Sequence, residues 1–387
     1  MLKLILSALF VLAFSISSHA ACPNNGICWV GAEDVNFLPP YGPAPSFNGT
    51  LGASGVYRPT FSRGPITSIS RETTSCSTGC VGENIPPIGG LNTPVFPNQS
   101  TIWIHFWFSA AGTCCSTDRS AQRTWFDVYG SDGVIRIAAV SSAQDVMRIV
   151  SVTSSGVQST LATCPVNLET FAQYDIKLTY STSGSVQLYH NGLSVCSYAG
   201  DVTTGSGITS VNQVTLIGQI FPQSSNVSYV VQNVNAWSEM AITDGTIDTR
   251  GLSLWSVPPQ DVSATQTWTG VVGNINETTI DDTTFNYTAS TNQISNWNNS
   301  IAVPPGTWTI PAVFQSARVQ VGSLGPQHFE FTMSPAGSGT IYTSSSVTPY
   351  TSFGNYTTTW LTNPYTTSAW TTSAFTSNWS DGIESLP

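Results

Sequence analysis

The sequence predicts an all-β protein, an antiparallel β-sandwich followed by a smaller C-terminal β domain. Two observations carry that fold class. Short runs of alternating apolar and polar residues recur after Ser100 with Gly and Asn turns between them, and none of them has helical periodicity. Charged residues make up only 8% of the chain against 11% aromatics, so Ser, Thr, Asn and Gly fill the surface positions that Lys and Glu usually take. That composition excludes a charged helical bundle and a disordered acidic tail.

Residues 1–20 read as a signal peptide. Lys3 supplies the positive start, Leu4 to Phe14 the apolar run, and Ser18-His19-Ala20 the small residues of a cleavage site after Ala20. The apolar run is too short to span a bilayer, so no membrane span is expected in the mature chain. Cys22 raises a lipoprotein alternative, against which His19 stands where a lipobox wants Leu. Loss of Lys3 leaves ten basic residues against 21 acidic ones, a net charge of −11, which excludes nucleic acid as a partner. All eight cysteines (Cys22, Cys28, Cys76, Cys80, Cys114, Cys115, Cys164, Cys196) precede residue 197, and behind an export signal they read as disulfides. Cys22–Cys28 is the one pairing the spacing suggests. A zinc site from Cys76, Cys80, Cys114 and Cys115 is the alternative that an oxidising compartment disfavours.

Residues 21–44 form a Pro/Gly-rich N-terminal segment, too rich in breakers for a helix and expected to lie extended against a domain. "TIWIHFWFSA" (Thr101 to Ala110) is bulky on both faces, as a strand inside a sandwich would be. "RTWFDVYGSDGVIRIAAV" places Trp125, Asp127 and Tyr129 on one face and Phe126 and Val128 on the other, with a type I′ turn at Asp132-Gly133. "YDIKLTY" turns Ile176, Leu178 and Tyr180 inward, and "GSVQLYHNGLSVCSYAG" (Gly184 to Gly200) is a hairpin closed by Asn191-Gly192. Beyond Arg250, "SARVQV" and "HFEFTMS" alternate again, with Phe329, Phe331 and Met333 on one face. The tail spaces Trp370, Ala374, Phe375 and Trp379 near a helical period, which fits either a docked turn or irregular chain.

The run from Phe171 to Gly200, with its "V-x-L-Y-x-N-G" hairpin, resembles the concanavalin A-like, or laminin-G-like, jelly-roll family. The series "WSEMAITDGTIDTRGLSLWSVPP" (Trp237 to Pro259), "WTG" at Trp268 and "NPYTTSAW" (Asn363 to Trp370) resembles virion structural proteins of tailed bacteriophages and prophages. The resemblance implies a laminin-G-like sandwich over residues 45–245 and a C-terminal β domain over 251–387. It also implies calcium as the one possible cofactor, with Asp127 and Asp132 as the candidate ligands. An export signal and eight cysteines depart from the cytosolic assembly of virions, which leaves a surface-displayed relative open.

Glycoside hydrolysis needs two carboxylates across a cleft, and no strand carries acids at i and i+2 or i+4. Asp127 and Asp132 flank a turn, and Asp281 and Asp282 are adjacent in sequence. No nucleophile elbow, phosphate loop or HExxH motif occurs. Binding is better supported. Trp297 stands between Asn296 and Asn298 and is the candidate stacking platform for a sugar, with His190 and Asn191 at the hairpin tip available for contact. The sequence is therefore expected to be an exported, non-enzymatic structural or adhesion protein of virion type. Its expected partners are surface glycans or neighbouring virion or surface proteins, and weak repeated contacts suit a homo-oligomer. The alternatives are a secreted glycan-active enzyme on the same fold and a purely structural oligomeric subunit. Location follows: extracellular or cell-surface, and on a virion if that resemblance holds.

Overall fold

The computed structural model describes residues 22, 25–30, 47–48, 55–58, 68–72, 90–109, 122–143, 146–167, 172–221, 234–252, 259, 261–275, 282–299, 308–323, 325–375 and 379–387. The signal peptide at residues 1–20, most of the segment 21–44, and Cys76, Cys80, Cys114 and Cys115 lie outside them. The described chain is antiparallel β throughout and contains no α-helix.

In chain order the first strands are β1 (Ile27–Val30), β2 (Phe47–Asn48), β3 (Gly55–Arg58), β4 (Ser68–Glu72), β5 (Gly90–Asn92), β6 (Thr101–Ser109), β7 (Gln122–Gly130) and β8 (Ile135–Ala143). They continue with β9 (Val146–Val152), β10 (Gln158–Pro165), β11 (Ala172–Thr179), β12 (Gly184–His190), β13 (Leu193–Gly200), β14 (Val211–Phe221) and β15 (Val234–Asp244). These fifteen make two sheets. One runs β13-β12-β11-β6-β15-β4-β3 with β1 also on β15, and the other runs β10-β9-β8-β7-β14-β5-β2.

Alternation explains how the sheets close. Ile102, Ile104, Phe106 and Phe108 of β6, Tyr174, Ile176 and Leu178 of β11, and Val186 and Leu188 of β12 turn one face of the eight-stranded sheet inward. Phe126 and Val128, Ile137 and Ala139, and Met147 and Ile149 answer from the seven-stranded sheet. Phe106 meets Phe126 at 6.3 Å and Tyr174 at 5.6 Å between ring centroids, so one aromatic cluster joins the layers.

Two local readings are corrected. Trp125 does not share a face with Asp127: the register of β7 on β8 slips between Thr124 and Phe126, and the bulge sends Trp125 into the core, 4.8 Å from Phe108. Asp132-Gly133 is not a type I′ turn, because only Gly133 is left-handed (φ 74°) and Gly130 N–H spans the loop to the Val134 carbonyl. Asn191-Gly192 does form the two-residue turn, with φ of 50° and 78° and His190 opposite Leu193.

The smaller unit contains β16 (Asp261–Gln266), β17 (Ile294–Asn298), β18 (Val313–Val319), β19 (His328–Ser334), β20 (Tyr342–Thr343), β21 (Gly354–Trp360) and β22 (Ser380–Leu386). The order β16-β17-β22-β19-β20 makes one sheet, and the β18-β21 pair covers Phe329 and Phe331 with Ala317, Val319, Tyr356 and Trp360. The tail holds both a short 3-10 turn (Thr372–Phe375), with Phe375 stacked on Trp370 at 5.1 Å, and the strand β22.

Among the described cysteines, Cys22 is bonded to Cys28 and Cys164 to Cys196. Two disulfides fit an extracellular protein. The second joins β10 to β13 and so ties the edges of the two sheets together. Its 32-residue separation makes replacement of both cysteines by Ala cost about 3–4 kcal/mol, read as a lower urea midpoint with a steeper slope, since the unfolded chain is no longer cross-linked.

Candidate functional site

The inward turn of Phe126 and Val128 sends the residues between and after them, Asp127 and Tyr129, to the outer face of the seven-stranded sheet. There Asp127 lies opposite Thr215 of β14 and Ala138 of β8, and Tyr129 is hydrogen-bonded to Thr215. Ala138, Val140, Val150 and Val152 make an apolar floor beside them, distinct from the main core. Arg148 stands opposite Val140 on the same face, and its Nε is buried without a hydrogen-bond acceptor.

Asp127 is 6% exposed, and among the described residues it has no ion pair and no hydrogen bond. Burial alone pushes its carboxyl up to about 7. Tyr129 is also raised, first by burial and then by the Asp127 charge, against the bond from Thr215. The arrangement is a carboxyl that exchanges its proton near neutral pH beside a phenol that keeps its own, on the outer face of the sandwich.

A second constellation resembles a catalytic dyad but is closed. On the outer face of the eight-stranded sheet His105 Nδ1 lies 2.7 Å from Asp175 Oδ1. Thr249 Oγ1 donates to the same oxygen at 2.7 Å, and Gln173 Nε2 donates to Oδ2 at 2.7 Å. His105 and Asp175 are fully buried. Arg250, held by Asp248, lies over Tyr189 at 4.7 Å and over Trp103 at 5.7 Å, so the Asp248-Thr249-Arg250-Gly251 stretch caps this face. Its chemistry is that of an anchor: three groups converge on Asp175, Gln173 Nε2 also donates to the Arg250 carbonyl, and the buried His105 Nε2 is left without a hydrogen-bond partner.

The residues expected from the sequence are scattered. Trp297 is 2% exposed in the middle of β17, its Nε1 donating to Ser295 Oγ at 2.8 Å, so it is an interior residue and not a stacking platform. Asn296 is buried and donates to Ser380 Oγ, while Asn298 is half-buried opposite Ser380. Composition suggested a loop here because asparagines flank the ring. What was hidden is that β22 supplies their partners. His190 is half-buried against Tyr174, its ring held below its ordinary pKa by burial, and Asn191 accepts from Gln173 N at 3.1 Å. These two lie on the sandwich and Trp297 in the smaller unit, so no common site unites them. Asp132 is engaged by Arg136, whose hydrogen bond lowers its pKa, and no group of three or more His, Cys, Asp or Glu is poised for a metal among the described residues. Asp127 and Asp132 are therefore not a ligand pair: one faces the outer sheet surface and the other is bound to arginine. Alternation along β7 already puts Tyr129 on the face of Asp127; missing from the sequence reading was the burial of that carboxyl, which no local pattern signals.

No family of known proteins and no curated protein matches this chain. Solved structures similar to it include an endo-β-1,4-glucuronan lyase from the fungus Trichoderma reesei, at 9% identity and TM-score 0.40 over 59% of this chain and 100% of that one. A family 7 alginate lyase is similar at 12% identity and TM-score 0.35 over 51% and 84%, and the cellulose induced protein Cip1 at 12% and 0.34 over 55% and 89%. These likenesses concern the jelly-roll architecture. They correct one expectation: with polysaccharide lyases among the similar structures, the non-enzymatic assignment is withdrawn. They give the virion reading and the virion location no support, and both are dropped.

The raised carboxyl has a thermodynamic signature. Its native pKa lies above the ordinary 3.8, so between about pH 4 and pH 7 the folded chain holds a proton that the unfolded chain releases, and stability falls as pH rises through that window. The three-unit shift corresponds to about 4 kcal/mol at most. Asp127→Asn should flatten this slope and be more stable than the native chain at about pH 8 but not at about pH 4, measured by urea unfolding at both.

Proposed function

We propose that the chain is a secreted glycan-active enzyme, with its polysaccharide lying across the outer face of the seven-stranded sheet and Asp127 moving the proton in bond cleavage. The observation that carries this reading is the placement of Asp127: a carboxyl on the outer face of a jelly-roll sheet, shielded from water, without a counter-charge and beside a tyrosine. Structural carboxyls are ordinarily paired, and one left unpaired in a desolvated site marks chemistry.

Cleavage of a glycosidic link requires a proton for the departing oxygen. A carboxyl protonated near neutrality delivers it, and the resulting carboxylate accepts a proton in exchange, from the attacking water in a hydrolysis or from the ring C–H that is lost in an elimination. Tyr129, tied to Thr215, would fix the orientation of the sugar hydroxyls or share the proton.

The test is a screen of the mature chain against neutral and uronic-acid polysaccharides, reading both new reducing ends and the ultraviolet absorbance of unsaturated products. Asp127→Asn should lower turnover by about 10²-fold or more while the fold is retained. Full turnover in that variant, or none in the native chain on any polysaccharide, overturns the proposal.

A further inference from the structure

With Trp297 buried, the exposed aromatics of the smaller unit lie elsewhere. Phe285, Tyr287 and Tyr350 are 42%, 55% and 51% exposed. They stand in two clusters rather than as three isolated rings. Phe285 stands 6.4 Å from Tyr287 and 5.6 Å from Phe353, and Tyr350 stands 6.0 Å from Tyr356. Gly354, next in sequence to Phe353, lies against the second cluster, for a Cβ there would come within 2.9 Å of the Tyr356 hydroxyl and 3.1 Å of Tyr350.

The rings are held from below. Tyr356 packs on the buried Phe329 at 5.4 Å, and its hydroxyl accepts from Tyr350 N at 2.6 Å. Tyr287 is pinned through its backbone, which exchanges two hydrogen bonds with Thr269, and the Phe285 carbonyl accepts from Asn274 Nδ2. Arg318 lies 5.6 Å over the Phe353 ring and donates through Nε and Nη2 to the two carboxylate oxygens of Asp282 at 2.6 Å. The surface is therefore preorganised, which lowers the entropy a ligand must overcome.

We propose that this surface is a second glycan site, an aromatic platform that stacks neutral pyranose rings and acts independently of Asp127. Its chemistry selects the occupant. The one cation at the patch is neutralised by Asp282, so a nucleic acid or an anionic lipid surface finds no charge to meet. Rings with exposed faces, and hydroxyls on Tyr287 and Tyr350 at their edges, match a sugar's C–H face and its equatorial hydroxyls together. Contiguous exposed apolar surface of this kind is seldom without a role. Val271 and Ile275, exposed on the neighbouring turn, extend the area, and make a second copy of the chain the competing occupant.

The experiment uses the mature chain with microcrystalline cellulose and chitin in pull-down, and soluble neutral β-glucan and mannan in affinity gels. Three variants run beside it: Tyr287→Ala with Tyr350→Ala, Tyr350→Ser alone, and Asp127→Asn. The native chain should be retained by at least one of these glycans. The double variant should bind more than 10-fold more weakly and the single variant between the two. Both replaced tyrosines are exposed, and the bond from Tyr350 N is made by the backbone, so thermal unfolding of the single variant should match the native chain. Absence of binding to all four glycans overturns the proposal, as does native-like binding by the double variant. So does a double variant that turns a dimer into a monomer in sedimentation while its glycan binding is unchanged, since the occupant is then a second copy. Loss of binding in Asp127→Asn alone would place the glycan on the sandwich and overturn it as well.

Discussion

The buried carboxylate of Asp175 is the constraint around which the eight-stranded sheet and the connection to the smaller unit are arranged. A charge fully removed from water is tolerated only when its lone pairs are taken up. Here His105, Thr249 and Gln173 take them up, each at 2.7 Å. His105 belongs to β6, Gln173 to β11 itself, and Thr249 to the turn that leaves β15, so three separated pieces of chain are committed to one point. The same turn sets Arg250 over Tyr189 and Trp103. That is why β6 is bulky on both faces. One face fills the sandwich, and the other lies under this cap with Trp103 3% exposed.

Asp127 is the counterpart on the opposite sheet, and the comparison separates structure from chemistry. Both residues sit mid-strand, point away from the sandwich core and are buried. Asp175 has its charge compensated by three donors and is fixed. Asp127 has burial without compensation, so it keeps its proton up to about neutral pH, where an ordinary aspartate has long lost it. Other described aspartates repeat the first pattern: Asp132 with Arg136, Asp248 with Arg250, Asp282 with Arg318, and Asp201 with Thr203. Against that background an uncompensated carboxyl is an expense in folding free energy that a catalytic or binding role explains.

Much of the architecture was legible because period-two alternation is a direct record of which side chain faces which layer. It read β11 and β19 correctly down to the inward residues, and β6 and the β12–β13 hairpin correctly as strands. It failed where the backbone departs from period two or where polar residues are satisfied at long range. The bulge at Trp125 adds a residue to one strand and so reverses the face of everything before it. The strand β22, "SDGIESL", carries two acids and a glycine, yet Gly382 is required because a Cβ there would meet the Ser295 carbonyl at 1.9 Å. Trp297 looked exposed for the same reason. Its neighbours Asn296 and Asn299 are paired with Ser380 and Asp381, more than eighty residues away, and no local window contains both partners. The candidate site was hidden differently: a search for paired carboxylates passes over a single one whose significance lies in what does not surround it.

The sparse charge of the chain then acquires a physical sense. Asn, Ser and Thr satisfy one another in close pairs, as at Asn296–Ser380, Thr246–Asp244 and Thr203–Asp201, so polar interior positions need few ions. Several of the described ions are coupled in close pairs, and the net negative charge of the chain offers a neutral molecule no long-range attraction. Capture must instead come from short-range contact: apolar floor and exposed ring faces, with hydroxyls and amides at their edges. A neutral or weakly charged polysaccharide is recognised by those forces, because its repeated C–H faces and hydroxyls present the same local chemistry at every residue. One platform of exposed rings and one desolvated carboxyl on different sheets can then meet the same polymer at different points, and binding at the first raises the local concentration at the second.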